Sequence, residues 1–183
     1  MARHVCPWWV GYLLVSPIRR WLQDPEKILS PYIKEGMTVL DVGPGMGFFT
    51  IPAARLVGDS GRVIAVDLQE KMLKSLDKRA EKAGVAGRII TKVCEPDNLG
   101  VSDPIDLCLA FNVVHEVPDA SALFSQIRAI LKPTGRLLLA EPAGWHVSEK
   151  DFEGTLAKAS AAGLKLIGRP KIRRSQSALL GLD

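Results

Sequence analysis

Apolar and polar positions along this chain follow two patterns that alternate. Short apolar runs such as RVIAVD at residues 62–67 lack polar alternation, which is typical of parallel strands buried on both faces. Longer segments place apolar residues three and four positions apart, and the clearest of them, residues 69–83, predicts an amphipathic helix that ends at Gly84. Because the two patterns alternate, the chain is predicted to form a parallel α/β sheet with helices on both faces.

The same patterns predict seven strands and five helices. The first helix begins at Asp24 and Pro25, an N-cap followed by proline at the first helical position, and ends before Gly36. Pro52 lies near the start of the second helix, so a late start or a slight kink is expected there. A short polar link joins the last two strands and suits a hairpin. The strands are predicted at residues 38–41, 62–67, 88–93, 105–111, 136–141, 164–173 and 177–182, and the later helices at 48–57, 69–83, 120–131 and 148–162.

The composition is that of an ordinary globular protein. Of 183 residues, 47% are hydrophobic and 24% are charged, which suits one domain with a substantial core. Cys6, Cys94 and Cys108 show no CxxC spacing, so they indicate neither a disulfide framework nor a zinc site. This favours a reducing compartment, and we expect a cytoplasmic protein without a bound metal.

Positive charge is concentrated near the carboxyl end. Of the formal net charge of +4, residues 154–183 carry +5 and residues 1–153 carry −1. A basic tail can steer an acidic substrate or nucleic acid. Alternatively, lysine and arginine on an exposed strand discourage pairing at a sheet edge. Both interpretations stay open, and this feature alone does not predict a specific nucleic-acid partner.

The first 24 residues are rich in aromatic side chains. The segment MARHVCPWWVGYLLV has a basic start, but SPIRRW follows in place of a small-residue cleavage site, so we expect it to belong to the mature protein. Its apolar run is far shorter than the roughly 20 residues that a membrane span requires. So much aromatic surface must cover something, and residues 1–24 are therefore predicted as a cover over the remainder of the chain. Three tryptophans and a tyrosine carry this prediction: Trp8, Trp9, Tyr12 and Trp21.

The segment TVLDVGPGMG, residues 38–47, carries the strongest functional pattern. A predicted strand runs into an acid, and glycine then occupies every second position, at Gly43, Gly45 and Gly47. In parallel α/β sheets, ligands bind beyond the carboxyl ends of the strands, and glycines let a ligand approach the backbone closely. Asp67 ends the next predicted strand 20 residues after Gly47, the distance at which an acid reaches ribose hydroxyls. The pattern predicts a nucleoside-containing cofactor.

The type of nucleoside cofactor follows from Asp41 and Phe48. The dinucleotide fingerprint GxGxxG, counted from Gly43, requires glycine at the position that Phe48 occupies. The carboxylate of Asp41 would also oppose a pyrophosphate bound at this loop. S-adenosylmethionine (SAM) carries an ammonium and a sulfonium, both cationic, so an acid beside the loop favours SAM over a nicotinamide dinucleotide.

Four motifs stand in order along residues 25–183: VLDVGPGMG, VIAVD, FNVVHEVPD and LKPTGRLLLAEP. Together they resemble the class I SAM-dependent methyltransferase family, and more narrowly its small-molecule and quinone-type branch. The resemblance implies a Rossmann-like, doubly wound seven-stranded sheet with strand order 3-2-1-4-5-7-6 and an antiparallel seventh strand. It also implies SAM as the cofactor, S-adenosylhomocysteine (SAH) as its product, and a methyltransferase domain at residues 25–183.

The resemblance further implies where parts of SAM would lie. Asp41 and the three loop glycines would surround the methionine part, and Asp67 would hold both ribose hydroxyls. Phe111 and Asn112, which end the fourth strand, would lie beside the transferring methyl group.

The adenine would be held by residues after the second and third strands. Leu68 and Met72 would lie against its ring. The family commonly has an acid after the third strand, and Glu95 occupies that position here. Because the next residue, Pro96, has no N–H to offer, Glu95 would reach the exocyclic amine alone.

Methyl transfer from a sulfonium requires mainly alignment, with a base where the acceptor is a weak nucleophile. Candidate bases near the predicted strand ends are His115, Glu141 and His146. His115 could instead cap a helix or pack in the interior, and Glu141 could simply meet solvent. Both functional and structural interpretations stay open for each residue.

The aromatic segment bears on the acceptor. If Trp8, Trp9 and Tyr12 form a lid, with Trp145 after the fifth strand as its counterpart, the acceptor is predicted to be a small apolar or aromatic molecule, because pockets follow their ligands in polarity. The alternative is a hydrophobic helix that fills a groove far from the ligand.

Two other functional classes remain. A nucleic-acid methyltransferase would fit the basic carboxyl end, but FNVVHE stands where such enzymes carry an NPPY-like stacking tetrad after the fourth strand. A protein that binds SAM without catalysis is the second alternative.

Overall fold

The computed structural model describes residues 23–144 and 146–182, in which helices and strands alternate as the sequence predicts. The helices are α1 (Pro25–Leu29), α2 (Thr50–Leu56), α3 (Glu70–Lys82), α4 (Ala120–Ile130) and α5 (Glu149–Ala161), with 3-10 turns at Ala86–Arg88 and Val114–Glu116. The strands are β1 (Thr38–Val42), β2 (Arg62–Asp67), β3 (Ile89–Val93), β4 (Ile105–Phe111), β5 (Leu131–Pro142), β6 (Lys165–Gly168) and β7 (Ser175–Gly181). None of the helices in these ranges is long and apolar enough to span a membrane.

The seven strands form one mixed sheet in the order β3-β2-β1-β4-β5-β7-β6. β2 is parallel to β1 and to β3, and β4 is parallel to β5. β7 is antiparallel to both β5 and β6. The predicted fold class, strand order and antiparallel seventh strand are therefore confirmed. β6 is an edge strand with three exposed residues, and a basic link follows it, as expected where cations protect a sheet edge.

Two compact units make up the described residues, 23–94 and 95–182, the second without residue 145. In the first unit, β1 is buried throughout and β2 is buried after its first residue, which confirms the prediction for RVIAVD. Helix α3 buries the apolar side chains that its sequence pattern predicts: Met72, Leu73, Leu76 and Ala80. Ala83, also predicted to face inward, is half-buried as the C-cap of α3.

Side-chain caps define where the helices of the second unit begin. The Asp119 carboxylate accepts the backbone N–H groups of Ser121 and Ala122 at the start of α4. At α5, Ser148 and Asp151 exchange side-chain and backbone hydrogen bonds in a capping box. These starts orient the helices so that Phe124 of α4 and Phe152 of α5 are buried.

Several predicted elements have different bounds in the structure. Helix α1 ends at Leu29, well before the predicted end at Gly36, and β5 begins at Leu131, five residues earlier than predicted. Helix α2 begins at Thr50, two residues later than predicted, so Pro52 lies in the first turn, where its missing N–H has no helical partner to lose. The strand predicted over residues 164–173 was wrong after Gly168. Pro170 cannot donate to a strand ladder, and Arg174 has a φ of 60°, a left-handed conformation that extended strands do not adopt.

Candidate active site

The glycine loop between β1 and α2 has positive φ values at all three of its glycines. Gly43, Gly45 and Gly47 have φ values of 68°, 55° and 85°, which favour glycine. A Cβ added at Gly45 would meet no heavy atom of the described residues within 4 Å, so the space beside it is open. A Cβ at Gly47 would lie 2.2 Å from Cδ1 of Leu76. Gly45 thus leaves room for a ligand, whereas Gly47 allows α3 to pack against the loop.

Asp41 lies beneath this loop, with only 2% of its surface exposed. The hydroxyl of Thr50 donates a hydrogen bond of 2.6 Å to its carboxylate. Burial raises the pKa of Asp41 to about 7, the hydrogen bond from Thr50 lowers it, and the charge of Asp67 raises it further. Near neutral pH this carboxyl is therefore poised between its neutral and charged forms, and a nearby cation would favour the charged form. The contact with Thr50 could not be identified from the sequence.

Asp67, the last residue of β2, connects that strand to the glycine loop. One carboxylate oxygen accepts the backbone N–H of Gln69 at 2.8 Å, and the other accepts the N–H of Gly45 at 3.2 Å. A carboxylate offers about four acceptor positions, so further donors such as ribose hydroxyls can be accommodated. The predicted ribose-binding role fits this geometry and stays a prediction.

The residues predicted to contact adenine differ in exposure. Leu68 is 40% exposed beside Asp67, whereas Met72 is 4% exposed and belongs mainly to the core of the first unit. Glu95 and Pro96 are exposed in the second unit. Glu95 exchanges two backbone hydrogen bonds with Asn98, which holds the turn that carries Pro96.

His115 and Glu141, predicted as separate candidate bases, form a hydrogen-bonded pair. Nδ1 of His115 contacts Oε2 of Glu141, and Oε1 of the same carboxylate accepts the backbone N–H of Val114 at 2.8 Å. An ionised carboxylate only accepts, so this pairing places the proton of a neutral ring on Nδ1. Nε2 lies 3.9 Å from Oε1 of Glu116. Glu141 is 1% exposed, so it does not simply meet solvent. This carboxylate orients the imidazole, as in the His–carboxylate arrangements of many enzymes.

Phe111 and Asn112 lie at the end of β4, shortly before His115 in the chain. Phe111 is 8% exposed, and Asn112 has a φ of 55°, which asparagine tolerates better than most residues. The N–H of Asn112 donates to the carbonyl of Ala140 at 2.7 Å. This hydrogen bond extends the pairing of β4 with β5 and fixes the turn that presents His115.

A cavity of about 550 Å³ lies in the second unit, near the carboxyl end of β5. It is an open pocket, and its lining includes the charged residues Glu149, Arg169 and Lys171 as well as Phe152 and Gln176. Gln176 is the cross-strand neighbour of Glu141, so the cavity borders the strand pair that carries the His115–Glu141 pair. No group of three or more His, Cys, Asp or Glu residues within residues 23–144 and 146–182 could hold a metal ion.

A family model described as "Methyltransferase domain" matches residues 33–172. This chain belongs to the methyltransferase-domain family. Its glycine loop, buried acids and strand order are those of the class I SAM-dependent branch, so the predicted family and the predicted cofactor SAM are confirmed.

Similar proteins include a ubiquinone/menaquinone biosynthesis C-methyltransferase from Enterobacter sp. (strain 638), 32% identical over 110 residues. That match covers 60% of this chain and 44% of the relative, so the chain spans less than half the relative's length. A solved SAM-dependent methyltransferase from Aquifex aeolicus is 25% identical with a TM-score of 0.85, covering 96% of this chain and 100% of that one. A putative rRNA-methylase from Clostridium thermocellum (TM-score 0.68, covering 87% and 94%) is 18% identical and shows likeness of fold alone.

Several predicted site residues lie outside the described part of the chain. These are the aromatic residues assigned to acceptor binding, namely Trp8, Trp9, Tyr12 and Trp145. The predicted division into a cover at residues 1–24 and a methyltransferase domain at 25–183 also stays a prediction.

Proposed function

We propose that this methyltransferase transfers the methyl group of SAM to a small apolar acceptor of the quinone type, with His115 as general base. The observation that carries the proposal is the pair of His115 with the buried carboxylate of Glu141. A fixed carboxylate partner holds the imidazole in one tautomer and stabilises the imidazolium that forms when the ring accepts a proton.

The first unit would hold the cofactor. Asp67 would accept hydrogen bonds from the ribose hydroxyls, and Asp41 would provide negative charge near the cationic end of SAM. When bound, SAM supplies an electrophilic methyl group. The residues present suit this cofactor because two acids flank a loop whose glycines allow close backbone approach.

The second unit would hold the acceptor. The relative from Enterobacter is named for C-methylation in quinone biosynthesis. An aromatic carbon becomes a stronger nucleophile when a neighbouring hydroxyl loses its proton, so such an acceptor requires a base of the kind that His115 offers at Nε2.

A cofactor-binding experiment tests the first part of the proposal. Asp67→Ala is expected to weaken SAM binding well over tenfold, since each charge-assisted hydrogen bond lost costs about 1.5–3 kcal/mol. Isothermal titration calorimetry measures the affinity, and Glu81→Ala, which removes one exposed carboxylate from the same unit, serves as the control. Unchanged SAM affinity in the Asp67 variant, or tight NAD binding by the wild type, would contradict the assignment.

A methyl-transfer assay tests the acceptor class. We expect labelled methyl groups from SAM to appear on members of a panel of benzoquinols and naphthoquinols. Total RNA in a parallel reaction tests the alternative of a nucleic-acid methyltransferase. Labelled RNA with unlabelled quinols would favour that alternative, and absence of transfer to either would favour a protein that binds SAM without catalysis.

We also propose that residues 1–24 cover the acceptor site. Deleting residues 1–16 is then expected to preserve SAM affinity and melting temperature but to abolish transfer to an apolar acceptor. If the tryptophans belong to the core instead, the melting temperature would fall by many degrees, because each buried tryptophan contributes about 3–5 kcal/mol. A large loss of stability together with loss of SAM binding would contradict the lid.

A reducing, cytoplasmic location is proposed as well. It is supported by Cys94 and Cys108, which form no disulfide within the described ranges.

A further inference from the structure

Arg79 of α3 reaches across to the glycine loop. Its Nη1 donates a hydrogen bond of 2.6 Å to the backbone carbonyl of Met46, a residue 33 positions earlier in the chain. Met46 is 2% exposed and occupies the centre of the loop, between Gly45 and Gly47. A buried carbonyl requires a hydrogen-bond partner, and Arg79 supplies one that is charged.

A second contact from α3 lies one helical turn earlier. Leu76, which is fully buried, occupies the space that a side chain at Gly47 would need. Residues three apart share one face of a helix, so Leu76 and Arg79 form a single surface of α3 against the loop. This surface contacts two consecutive loop residues, Met46 and Gly47.

The neighbouring loop residue, Gly45, is held in a different way. Its N–H donates to the Asp67 carboxylate, the group proposed to bind ribose. Ribose hydroxyls would compete for that carboxylate when the cofactor binds. The Met46 carbonyl that Arg79 holds is not assigned to the ligand, so this hydrogen bond can persist in both states.

We propose that Arg79 is a positioning residue that fixes the cofactor loop in its binding conformation. Three glycines with positive φ give this loop many alternative conformations, and ordering it costs conformational entropy. By holding the Met46 carbonyl, the guanidinium removes much of that freedom before the ligand arrives, and preorganisation of this kind increases affinity. The inference rests on the proposed binding of SAM at this loop.

A positioning role and a purely electrostatic role of Arg79 predict opposite changes in SAM affinity when its charge is removed. SAM carries one net positive charge at neutral pH, from an ammonium, a sulfonium and a carboxylate. Removing a nearby cation should therefore strengthen SAM binding if charge alone matters. Loss of loop positioning should weaken it. SAH lacks the sulfonium charge. If Arg79 positions the loop, its replacement should lower the affinities for SAM and SAH by the same factor. If Arg79 acts through its charge, the two affinities should change differently.

The experiment compares Arg79→Met with Lys78→Met by calorimetry with SAM and with SAH. Both substitutions remove one positive charge from α3, but Lys78 is exposed. Arg79→Met is expected to weaken both ligands by about tenfold or more and by the same factor, whereas Lys78→Met leaves both affinities within about twofold. Arg79→Lys keeps a donor and should recover part of the loss.

Hydrogen exchange at residues 45–47 of the ligand-free protein should accelerate in Arg79→Met and remain unchanged in β4.

Wild-type affinity for both ligands in Arg79→Met would overturn the inference, as would a change confined to SAM. If Arg79→Met does not fold, Arg79→Lys decides: a folded variant with wild-type affinity and unchanged exchange at residues 45–47 overturns it, and weaker binding of both ligands supports it. Failure of the wild type to bind either ligand would instead overturn the proposed function together with this inference.

Discussion

Replacing His115 by glutamine is expected to lower methyl transfer by about 10²–10⁴-fold, the usual contribution of a general base, without weakening SAM binding. Glutamine can still donate a hydrogen bond to the buried carboxylate of Glu141, so the fold around the pair should persist. It cannot accept a proton. Initial rates with a quinol acceptor and calorimetry with SAM separate the two effects.

His146→Gln is the matched control for this experiment. His146 was predicted as a candidate base from its position after β5, and it is exposed in the structure. The control should retain the wild-type rate. Glu141→Gln keeps the shape of the partner but removes its charge, so it should slow transfer by a smaller factor than His115→Gln. A rate in His115→Gln within twofold of the wild type would rule out His115 as the base.

The fold could be predicted in most respects because its signals are local. The apolar runs of β2 and β4 lie between polar, glycine or proline residues, and both strands have the predicted bounds. The loop glycines likewise indicated a ligand-approach loop after β1, and their φ values are positive in the structure. A local pattern did not predict the end of β6. The apolar and basic pattern continues past Gly168, but Pro170 cannot donate a hydrogen bond to a neighbouring strand.

The pairing of His115 with Glu141 could not be predicted, since it depends on strand register. The two residues are 26 positions apart. Taken alone, His115 could have capped a helix or packed in the interior, and Glu141 could have met solvent. In the structure Phe111 lies opposite Ala140, which brings the residues after β4 beside Glu141. A register shift between Ile105 and Leu107 precedes this alignment, and no local pattern in the sequence indicates it.

The burial of Asp41 and its contact with Thr50 could not be predicted from the sequence either. Its position before the glycines predicted a negative charge for a cationic cofactor. The structure adds that the carboxylate is buried beneath the loop with Thr50 as its donor. Because Asp41 is buried, its negative charge lowers the stability of the ligand-free protein.

Asp41→Asn is therefore expected to stabilise the ligand-free protein at pH 8 while weakening SAM binding. The pKa of Asp41 is about 7 in the folded protein, against 3.8 for an unperturbed group. Between these values the folded state holds more protons than the unfolded state, so stability falls as pH rises from about 4 to 7 and then levels off. At about 1.4 kcal/mol per pH unit, the total loss is about 4 kcal/mol.

The asparagine variant should lack this pH-dependent loss, although the buried amide N–H₂ will offset part of the gain at pH 8. Urea denaturation at several pH values from 4 to 8 measures the difference, with Glu81→Gln as an exposed control. SAM affinity in the wild type should rise with pH up to about 7, because the bound cation favours the ionised carboxyl, and it should be weaker and less pH-dependent in the variant. An equal loss of stability with pH in both proteins would assign the titration to another group. A variant that is more stable yet binds SAM as tightly as the wild type would show that Asp41 is a structural acid with no part in holding the cofactor.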